Sequence, residues 1–391
     1  MHTFIKNLLN GQSVEWKTLG EVLVRTKGTK ITAGQMKELH QENAPIKIFA
    51  GGKTFAMVNY GDIPEKDINQ KPSIIVKSRG IIEFEYYDKP FSHKNEMWAY
   101  HSIDKNIDIK FVYYFLKLNE PFFQNLGSKM QMPQIATPDT DKFKIPIPPL
   151  PVQQKIVQIL DAFTATTAEL TAEYNLRVKQ YQYYRDKLLN FSDNVEWKPL
   201  GEVAERIYSG GTPKTEKYEY WENGTIPWMS SGEVNLGTVF CTEKFITEAG
   251  LKNSSAKLVP KNSIVIALAG QGKTRGKVAR IRIDLTTNQS LASLVFDQER
   301  INPDYVYHFL NTQYENLRRI SSGEGTRGGL NLQMISNYKI PIPPLEIQTQ
   351  IVEILDKFET LTHSISEGLP REIQLRQKQY EYYRALLLDF T

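Results

Sequence analysis

The chain has 391 residues, of which 40% are hydrophobic and 24% charged, and its formal net charge at pH 7 is +4. This profile is typical of a folded protein of two or three domains and excludes a low-complexity or fibrous chain. A single cysteine, Cys241, excludes a disulfide framework and suits the reducing cytoplasm. No signal-peptide-like start and no apolar run of about 18 residues is found, so we expect a cytoplasmic protein without a membrane segment.

The chain consists largely of one duplicated sequence module. Three motifs recur in the same order: residues 14–22 return at 195–203, 144–150 return unchanged at 339–345, and 180–185 return at 379–384. The separation between the copies grows along the chain, which is expected for two copies that differ by loop insertions. A duplicated module presents two similar surfaces related by pseudo-symmetry, and this predicts a bipartite target.

Each copy begins with a strand-like segment, continues through a variable stretch and reaches a proline-rich hinge. Prolines at alternate positions of residues 145–150 and 340–345 fix φ and remove backbone donors. We therefore predict a stiff, extended connector that lacks ladder hydrogen bonds.

A long helix is predicted after each hinge, with mostly apolar residues at alternating steps of four and three. The seam of the first copy is Ile156, Leu160, Phe163, Thr167, Leu170, Tyr174, Arg177, Tyr181, Tyr184 and Leu188. The seam of the second copy is Ile351, Leu355, Phe358, Thr362, Ile365, Leu369, Ile373, Arg376, Tyr380, Tyr383 and Leu387. Two such stripes favour an intramolecular coiled coil over ordinary amphipathic helices. An extra four-residue step near Leu369, between Gly368 and Pro370, predicts a kink or break.

The variable stretches share an outline although their loops differ. Residues 73–80 match 263–270 as a short buried strand that ends at a glycine, and residues 111–116 match 305–310 as a short helix. Asp108 and Asn302 are the expected N-caps of these helices. Residues 8–11 also resemble 188–191, so the repeat is nearly cyclic. A shared framework with differing loops is typical of a recognition scaffold.

Basic, glycine-rich loops are the candidate DNA-binding sites. In the second copy residues 209–214, 270–282 and 323–329 combine glycines with cations, and Asn288 and Gln289 could read base edges. A solvated turn is the alternative for any single loop, but three in one domain favour DNA. The candidates in the second copy are Ser209, Lys214, Gln271, Lys273, Arg275, Lys277 and Arg327, and those in the first are Arg25, Lys27, Lys30, Lys77, Arg79, Lys94 and Lys129.

Motifs of catalysis are incomplete. Residues 272–274 resemble the end of a Walker A loop, but Ala267 stands where the loop needs its first glycine. The segment 302–305 lacks the second proline of an Asn-Pro-Pro-Tyr methyltransferase motif, and the six histidines include no pair spaced by four. We therefore predict no catalytic, cofactor or metal site, and His308, which replaces Tyr114 of the first copy, is expected to be structural.

The order of these motifs resembles the specificity (S) subunit of type I restriction-modification enzymes. The resemblance rests on the Glu-Trp-Lys openings, the hinges followed by Gln153 or Gln348, the Tyr-Tyr-Arg helix ends and residues 226–228, which read Ile-Pro-Trp. It spans almost the whole chain and adds Trp228 to the candidate DNA-binding residues. The first copy lacks an obvious Ile-Pro-Trp, and residues 60–64 echo it only in part.

This resemblance implies a fold and a division of labour. The expected fold is a pair of duplicated α/β (α+β) recognition domains joined by two long antiparallel coiled-coil helices in a pseudo-two-fold cyclic arrangement. The expected segments are recognition domains 1–151 and 192–346 and spacer helices 152–191 and 347–391. Each domain would read half of a split double-stranded DNA site, and the helices would act as a ruler.

The resemblance also implies partners. Modification subunits would dock on the segments shared by the two copies, carry S-adenosylmethionine and methylate adenine, and a motor-nuclease subunit would join them. The chain itself would be non-catalytic and hold no cofactor. Seam residues expected in the coiled coil or at partners are Ile156, Leu160, Phe163, Leu170, Tyr181, Tyr184, Ile351, Leu355, Phe358, Tyr380 and Tyr383. The alternatives are a self-contained DNA methyltransferase or nuclease, and a two-headed coiled-coil adaptor that binds proteins.

Overall fold

The computed structural model describes residues 1–127, 132–191, 195–270, 274–321, 329–364 and 367–391. The chain forms two compact units, one made of Met1–Thr171 with Glu372–Thr391 and the other of Ala172–Arg371. Each unit therefore contains one variable stretch together with parts of both predicted spacer segments. No helix in the described ranges is both long enough and apolar enough to cross a lipid bilayer.

The first unit contains six short α-helices and nine strands in its described residues. The helices are α1 (Thr3–Leu9), α2 (Leu19–Val22), α3 (Ala33–Leu39), α4 (Ile109–Leu118), α5 (Glu120–Gly127) and α6 (Thr137–Asp141). The strands are β1 (Glu15–Thr18), β2 (Val24–Arg25), β3 (Ile46–Phe49), β4 (Phe55–Val58), β5 (Ser73–Lys77), β6 (Glu83–Tyr87), β7 (Phe91–His93), β8 (Trp98–His101) and β9 (Lys144–Ile147). Helix α7 (Leu150–Leu188) begins in this unit and ends in the second.

The second unit repeats this plan with eleven strands in its described residues. Its helices are α8 (Leu200–Val203), α9 (Glu248–Lys252), α10 (Pro303–Thr312), α11 (Tyr314–Ile320), α12 (Leu332–Ser336) and α13 (Leu345–His363). Its strands are β10 (Trp197–Pro199), β11 (Arg206–Ser209), β12 (Ile226–Met229), β13 (Thr238–Val239), β14 (Lys244–Ile246), β15 (Leu258–Val259), β16 (Ile264–Ala267), β17 (Val278–Ile281), β18 (Leu285–Thr287), β19 (Leu291–Val295) and β20 (Lys339–Pro341). Helix α14 (Gly368–Leu387) begins in this unit and continues into the first.

The two units share a common sheet topology, to which the second unit adds one edge strand in each large sheet, β13 and β15. In the first, the sheets run β2-β8-β5-β6 and β4-β3-β7, and in the second they run β11-β19-β16-β17-β13 and β14-β12-β18-β15. Strands β3 and β12 occupy equivalent places, since each pairs antiparallel with one neighbour and parallel with the other. The first-unit counterpart of Ile226–Met229 is therefore Ile46–Phe49, and the partial echo at residues 60–64 is not the equivalent segment.

Buried apolar runs build both cores as predicted. Strands β5 and β16 are fully buried, and helices α4 and α10 pack on the sheets that contain them. Asp108 and Asn302 cap these helices by accepting backbone N–H groups, in agreement with the sequence analysis. In the first unit Ile5 and Leu9 of α1 join Phe390 in the same core, and the N-terminal amine donates to the Thr391 carbonyl. The near-cyclic repeat thus has a structural counterpart.

The prediction that the hinges lack ladder hydrogen bonds is wrong, because each hinge contains a paired strand. Strand β9 pairs antiparallel with β1, and β20 pairs with β10. A proline removes one donor but leaves its carbonyl, and alternation places the remaining donors on one edge of the strand, so a two-stranded ladder survives. The duplicated opening and hinge motifs therefore form one small sheet in each unit.

A buried glutamine fastens each hinge to the neighbouring helix. The Gln153 side chain accepts the Asp108 N–H at 2.9 Å and donates to the Pro148 carbonyl at 2.7 Å. Gln348 accepts the Asn302 N–H at 2.9 Å and donates to the Pro343 carbonyl at 2.8 Å. Both side chains are fully buried, so these bonds satisfy backbone groups that water cannot reach.

The first spacer segment is one helix of 39 residues, whereas the second is divided. Helix α13 ends at His363 and α14 begins at Gly368, so the predicted break falls just before Pro370. Gly368 has a φ of +75°, a conformation that favours glycine, and Pro370 lies in the first turn of α14, where a missing donor is tolerated.

Candidate nucleic-acid interface

In the second unit the loops that follow several strands converge. Gly210, directly after β11, lies so close to the end of β18 that a Cβ at this position would overlap the carbonyl oxygen of Thr287. The Gly211 N–H donates to the same carbonyl at 2.9 Å. Only glycine permits this approach, and this explains why the loop 209–214 is rich in glycine.

The described residues beside the other two glycine-rich loops lie at the same place. The Leu268 N–H donates to the Ser290 carbonyl at 2.8 Å, which joins the loop after β16 to the loop after β18. The Leu330 N–H donates to the Leu268 carbonyl at 2.9 Å, so the chain that follows residues 322–328 lies beside them. The described ends of the segments singled out by their glycines and cations are therefore neighbours.

The predicted DNA-binding residues of this unit differ in accessibility. Lys214 is exposed, whereas Ser209, Arg275 and Lys277 are half-buried. The Lys277 ammonium donates to the Asn235 side chain at 2.6 Å, so this cation already has a polar partner. Predicted positions Gln271, Lys273 and Arg327 lie outside the described residues.

Trp228 holds the 209–214 loop from the protein interior. Its side chain is only 5% exposed, and its indole N–H donates to the Gly211 carbonyl at 3.0 Å. Trp221 packs edge-on against it, with ring centroids 5.2 Å apart, and donates to the Lys214 carbonyl at 3.2 Å. The prediction that Trp228 contacts DNA is corrected, because the indole is buried and holds the backbone of the 209–214 loop.

The first unit builds an equivalent loop cluster. The Thr29 N–H donates to the His93 carbonyl at 2.8 Å, matching the bond from Gly211 to Thr287. A Cβ at Gly28 would collide with His93, as one at Gly210 would collide with Thr287. The segment around Lys27 and Lys30 is therefore the counterpart of the 209–214 loop.

His93 anchors this segment. One ring nitrogen of His93 lies 2.8 Å from the Thr26 hydroxyl, and the other lies 2.9 Å from the Lys94 carbonyl. Burial lowers the pKa of His93, despite these bonds and the nearby acids Asp67 and Glu96. We therefore expect His93 to be neutral at pH 7 and to act as a structural support.

The first-unit cations also divide into two groups. Lys27, Lys30 and Arg79 are exposed, and so is Arg25, whose guanidinium lies 3.7 Å from Asp141. The half-buried Lys94 forms an ion pair of 2.7 Å with Glu96. Lys129 lies outside the described residues.

Lys77 is a structural residue, contrary to its predicted role at DNA. Its ammonium contacts Glu83 at 2.5 Å and Glu85 at 2.8 Å, and the residue is only 8% exposed. Burial acts to lower the pKa of Lys77, but the two carboxylates outweigh it and raise the pKa. The ammonium is thus neutralised within the protein and has little access to a phosphate.

The predicted seam residues lie at helix contacts inside each unit. In the first unit Ile156 and Leu160 are buried, and the rings of Phe163 and Tyr383 stack with centroids 5.3 Å apart. Tyr380 packs against the same core. Leu170 is half-buried.

The second unit repeats these contacts. Ile351 and Leu355 are buried, the rings of Tyr184 and Phe358 stack at 5.6 Å, and Tyr181 contacts Phe358 at 6.3 Å. The seam residues therefore pack within the protein, which leaves other positions for partners.

A second stripe on the spacer helices was missed by the sequence analysis. Leu176 and Tyr183, one heptad apart, are 59% and 60% exposed, and their counterparts Leu375 and Tyr382 are 48% and 63% exposed. Their repetition in both copies is visible in the sequence, but these positions lie outside the seam with its alternating steps of four and three. Large apolar side chains exposed twice at equivalent positions indicate interaction surfaces.

A buried ionic network in the second unit was also missed. Arg280 of β17 donates to Asp356 at 2.7 Å and to Glu359 at 3.1 Å, both on α13, and its guanidinium lies 4.7 Å from the centre of the Tyr307 ring. His308 contacts Asp356 at 2.7 Å, as Tyr114 contacts Asp161 in the first unit. His308 is therefore structural, as predicted.

This network also bears on metal binding. Among the described residues, His308, Asp356 and Glu359 are close enough to ligate one ion. The Arg280 guanidinium already bridges the two carboxylates and supplies the cation that a metal would provide. We therefore assign no metal to this group.

These features match one protein family. The family model described as the type I restriction modification DNA specificity domain matches residues 13–180 and again 192–375. The chain therefore belongs to the type I restriction-modification specificity subunits.

Individual relatives share its full length. The chain is 40% identical to the type I restriction enzyme EcoR124I/EcoR124II specificity subunit of Escherichia coli, covering 99% of this chain and 97% of that protein. It is 31% identical to a putative type I restriction enzyme specificity subunit of Haemophilus influenzae, covering 100% and 99%. The fold is similar to the crystal structure of the type I restriction-modification S subunit from M. genitalium, with a TM-score of 0.62, 19% identity and coverage of 98% of each chain.

Proposed function

We propose that this chain is the DNA-specificity subunit of a type I restriction-modification complex and that each unit reads half of a bipartite site. The duplication carries the proposal. The specificity-domain match occurs twice, and each unit builds a glycine-anchored loop cluster. Exposed cations beside these loops, including Lys27, Lys30 and Lys214, supply the positive charge that a phosphate backbone attracts.

The chemistry belongs to partner subunits in this proposal. Modification subunits that bind S-adenosylmethionine supply methyl transfer, and a motor-nuclease subunit supplies cleavage. The exposed pairs Leu176 with Tyr183 and Leu375 with Tyr382 offer equivalent surfaces to two copies of one modification subunit. The spacer segments 152–191 and 347–391 set the gap between the half-sites read by domains 1–151 and 192–346. The complex acts in the cytoplasm, where its DNA target lies.

The decisive experiment uses the chain co-purified with its modification subunits. Methylated adenines mapped in host DNA give the target, and duplexes with either half scrambled test the two units separately. We expect each scramble to abolish specific binding and leave a weak, salt-sensitive component. A single uninterrupted target, or methylation by the purified chain alone, would contradict the proposal.

A further inference from the structure

One loop has the same backbone structure in both units although its sequence differs. It joins β7 to β8 in the first unit and β18 to β19 in the second. The Lys94 N–H donates to the Phe49 carbonyl at 2.9 Å, and the Asn288 N–H donates to the Met229 carbonyl at 3.1 Å. Each loop then closes with a bond to its first carbonyl, from Met97 at 2.9 Å and from Leu291 at 3.4 Å.

These bonds align residues 94–96 with 288–290, and the middle residue of each loop is a carboxamide. Asn95 is the middle residue of the first loop and Gln289 of the second, and both are exposed. Their neighbours are engaged inside the protein, because Lys94 pairs with Glu96 and the Asn288 side chain accepts the Ser290 N–H at 3.0 Å. The central side chains are therefore the ones that each loop presents outward.

Gln289 is also oriented. The Thr212 hydroxyl donates to its side-chain oxygen at 2.7 Å, which fixes the amide plane and leaves the NH2 group to donate elsewhere. Thr212 belongs to the loop 209–214, which carries the exposed Lys214. In the first unit the aligned loop begins at Lys94. The backbone of Lys94 forms a parallel β-bridge with Thr29, which lies between Lys27 and Lys30 in the sequence. Both carboxamides thus stand among groups suited to a phosphate backbone.

The chemistry of a carboxamide selects a base. It donates and accepts side by side, and this matches the N7 acceptor and N6 donor that adenine presents in the major groove. We propose that Asn95 and Gln289 are equivalent specificity residues, each contacting an adenine in one half-site. This inference rests on the proposed function and adds the residues and the base that they recognise.

The test uses the complex with its modification subunits and a duplex carrying the mapped bipartite target. Each half-site adenine is replaced in turn by 7-deazaadenine, which keeps Watson–Crick pairing but lacks the N7 acceptor. We expect one replacement in each half-site to weaken binding about tenfold. Gln289→Leu should remove the effect in the second half-site only, and Asn95→Leu should remove it in the first half-site only. In each variant, discrimination at that base pair should be lost.

Matched variants protect the result from folding artefacts. Gln289→Glu keeps the shape of the side chain, but a carboxylate cannot donate a hydrogen bond. The variant should therefore bind adenine more weakly and shift its preference toward cytosine, whose N4 amino group donates in the major groove. Gln298→Leu removes an exposed carboxamide away from the loop and should leave every preference unchanged. Unchanged preferences in both loop variants, or relaxation at a pair other than A·T, would overturn the inference while leaving the bipartite proposal intact. Failure of the wild-type complex to bind a bipartite target would instead overturn the proposed function.

Discussion

Replacing Arg280 with methionine tests the energetic role of the ionic network in the second unit. The substitution keeps most of the volume but removes the cation that bridges Asp356 and Glu359. Arg280 is 8% exposed, so solvent cannot replace the guanidinium fully. Breaking a buried ion pair from one side costs about 3–5 kcal/mol. We expect about 3 kcal/mol, the lower end of that range, because the two carboxylate side chains retain 34% and 21% exposure.

The loss of folding free energy in Arg280→Met should become smaller as the pH falls. Burial acts to raise the pKa of Asp356, but the His308 hydrogen bond and the Arg280 charge outweigh it and hold the pKa below its usual value of 3.8. A depressed pKa stabilises the folded state above the unfolded-state pKa, and that stability is lost as pH falls through the folded-state pKa. The difference between wild type and Arg280→Met should therefore narrow at acidic pH.

Native-state hydrogen exchange of the β17 amides in increasing urea measures this local free energy without assuming two-state unfolding of the whole chain. Arg300→Met, at an exposed position, is the control and should change stability by less than about 0.5 kcal/mol. A combined variant with Asp356→Asn and Glu359→Gln should recover much of the loss. A deficit below about 1 kcal/mol, or no recovery in the combined variant, would refute the reasoning.

Four further outcomes are expected. Gln348→Leu should cost about 2–4 kcal/mol, because it orphans two buried backbone groups, and urea unfolding monitored by exchange in α10 should show it. Gly210→Ala should destabilise the second loop cluster by about 1–3 kcal/mol and weaken binding to that half-site, whereas Gly34→Ala in helix α3 has room for the methyl group and should be neutral or stabilising by exchange. Leu176→Ser with Tyr183→Ser should weaken modification-subunit association in calorimetry by about tenfold, and Gln182→Ser, at an exposed position on another face of the same helix, should not. Four residues inserted after Ala172 lengthen α7 by about 6 Å, so the preferred gap, read by methylation mapping, should grow by one or two base pairs of about 3.4 Å with both half-sites unchanged.

The sequence predicted features that recur in both copies or follow from local patterns. It did not predict which strands of the two units are equivalent, because that equivalence appears only in the tertiary structure. The seam of α7 and the caps Asp108 and Asn302 followed from local periodicity and side-chain chemistry, and the structure has them. The equivalence of β3 with β12 was invisible, because Ile46–Phe49 and Ile226–Met229 share a sheet position but little side-chain identity. A core strand constrains burial and pairing, and many apolar sequences satisfy both.

Errors in the candidate interface have the same physical origin. Lys77 and Trp228 were chosen for residue type, which does not reveal burial, and each proved to have its polar group bonded within the protein. Gln289 was singled out by its residue type, whereas Asn95 gains its significance only from the backbone hydrogen bonds that align its loop with that of Gln289. Partner choice for a charged side chain is a long-range property that spacing along the chain does not encode.

The loops around Asn95 and Gln289 are held by main-chain groups, and this has a consequence for how specificity can change. Every non-proline residue supplies the same N–H and C=O, so residues 94–96 and 288–290 adopt one shape with different side chains. Base preference can then drift by single substitutions at the central position without a penalty in foldability. A randomised library at position 95 or 289 should consist largely of folded members, which makes this loop an entry point for evolving new target sequences.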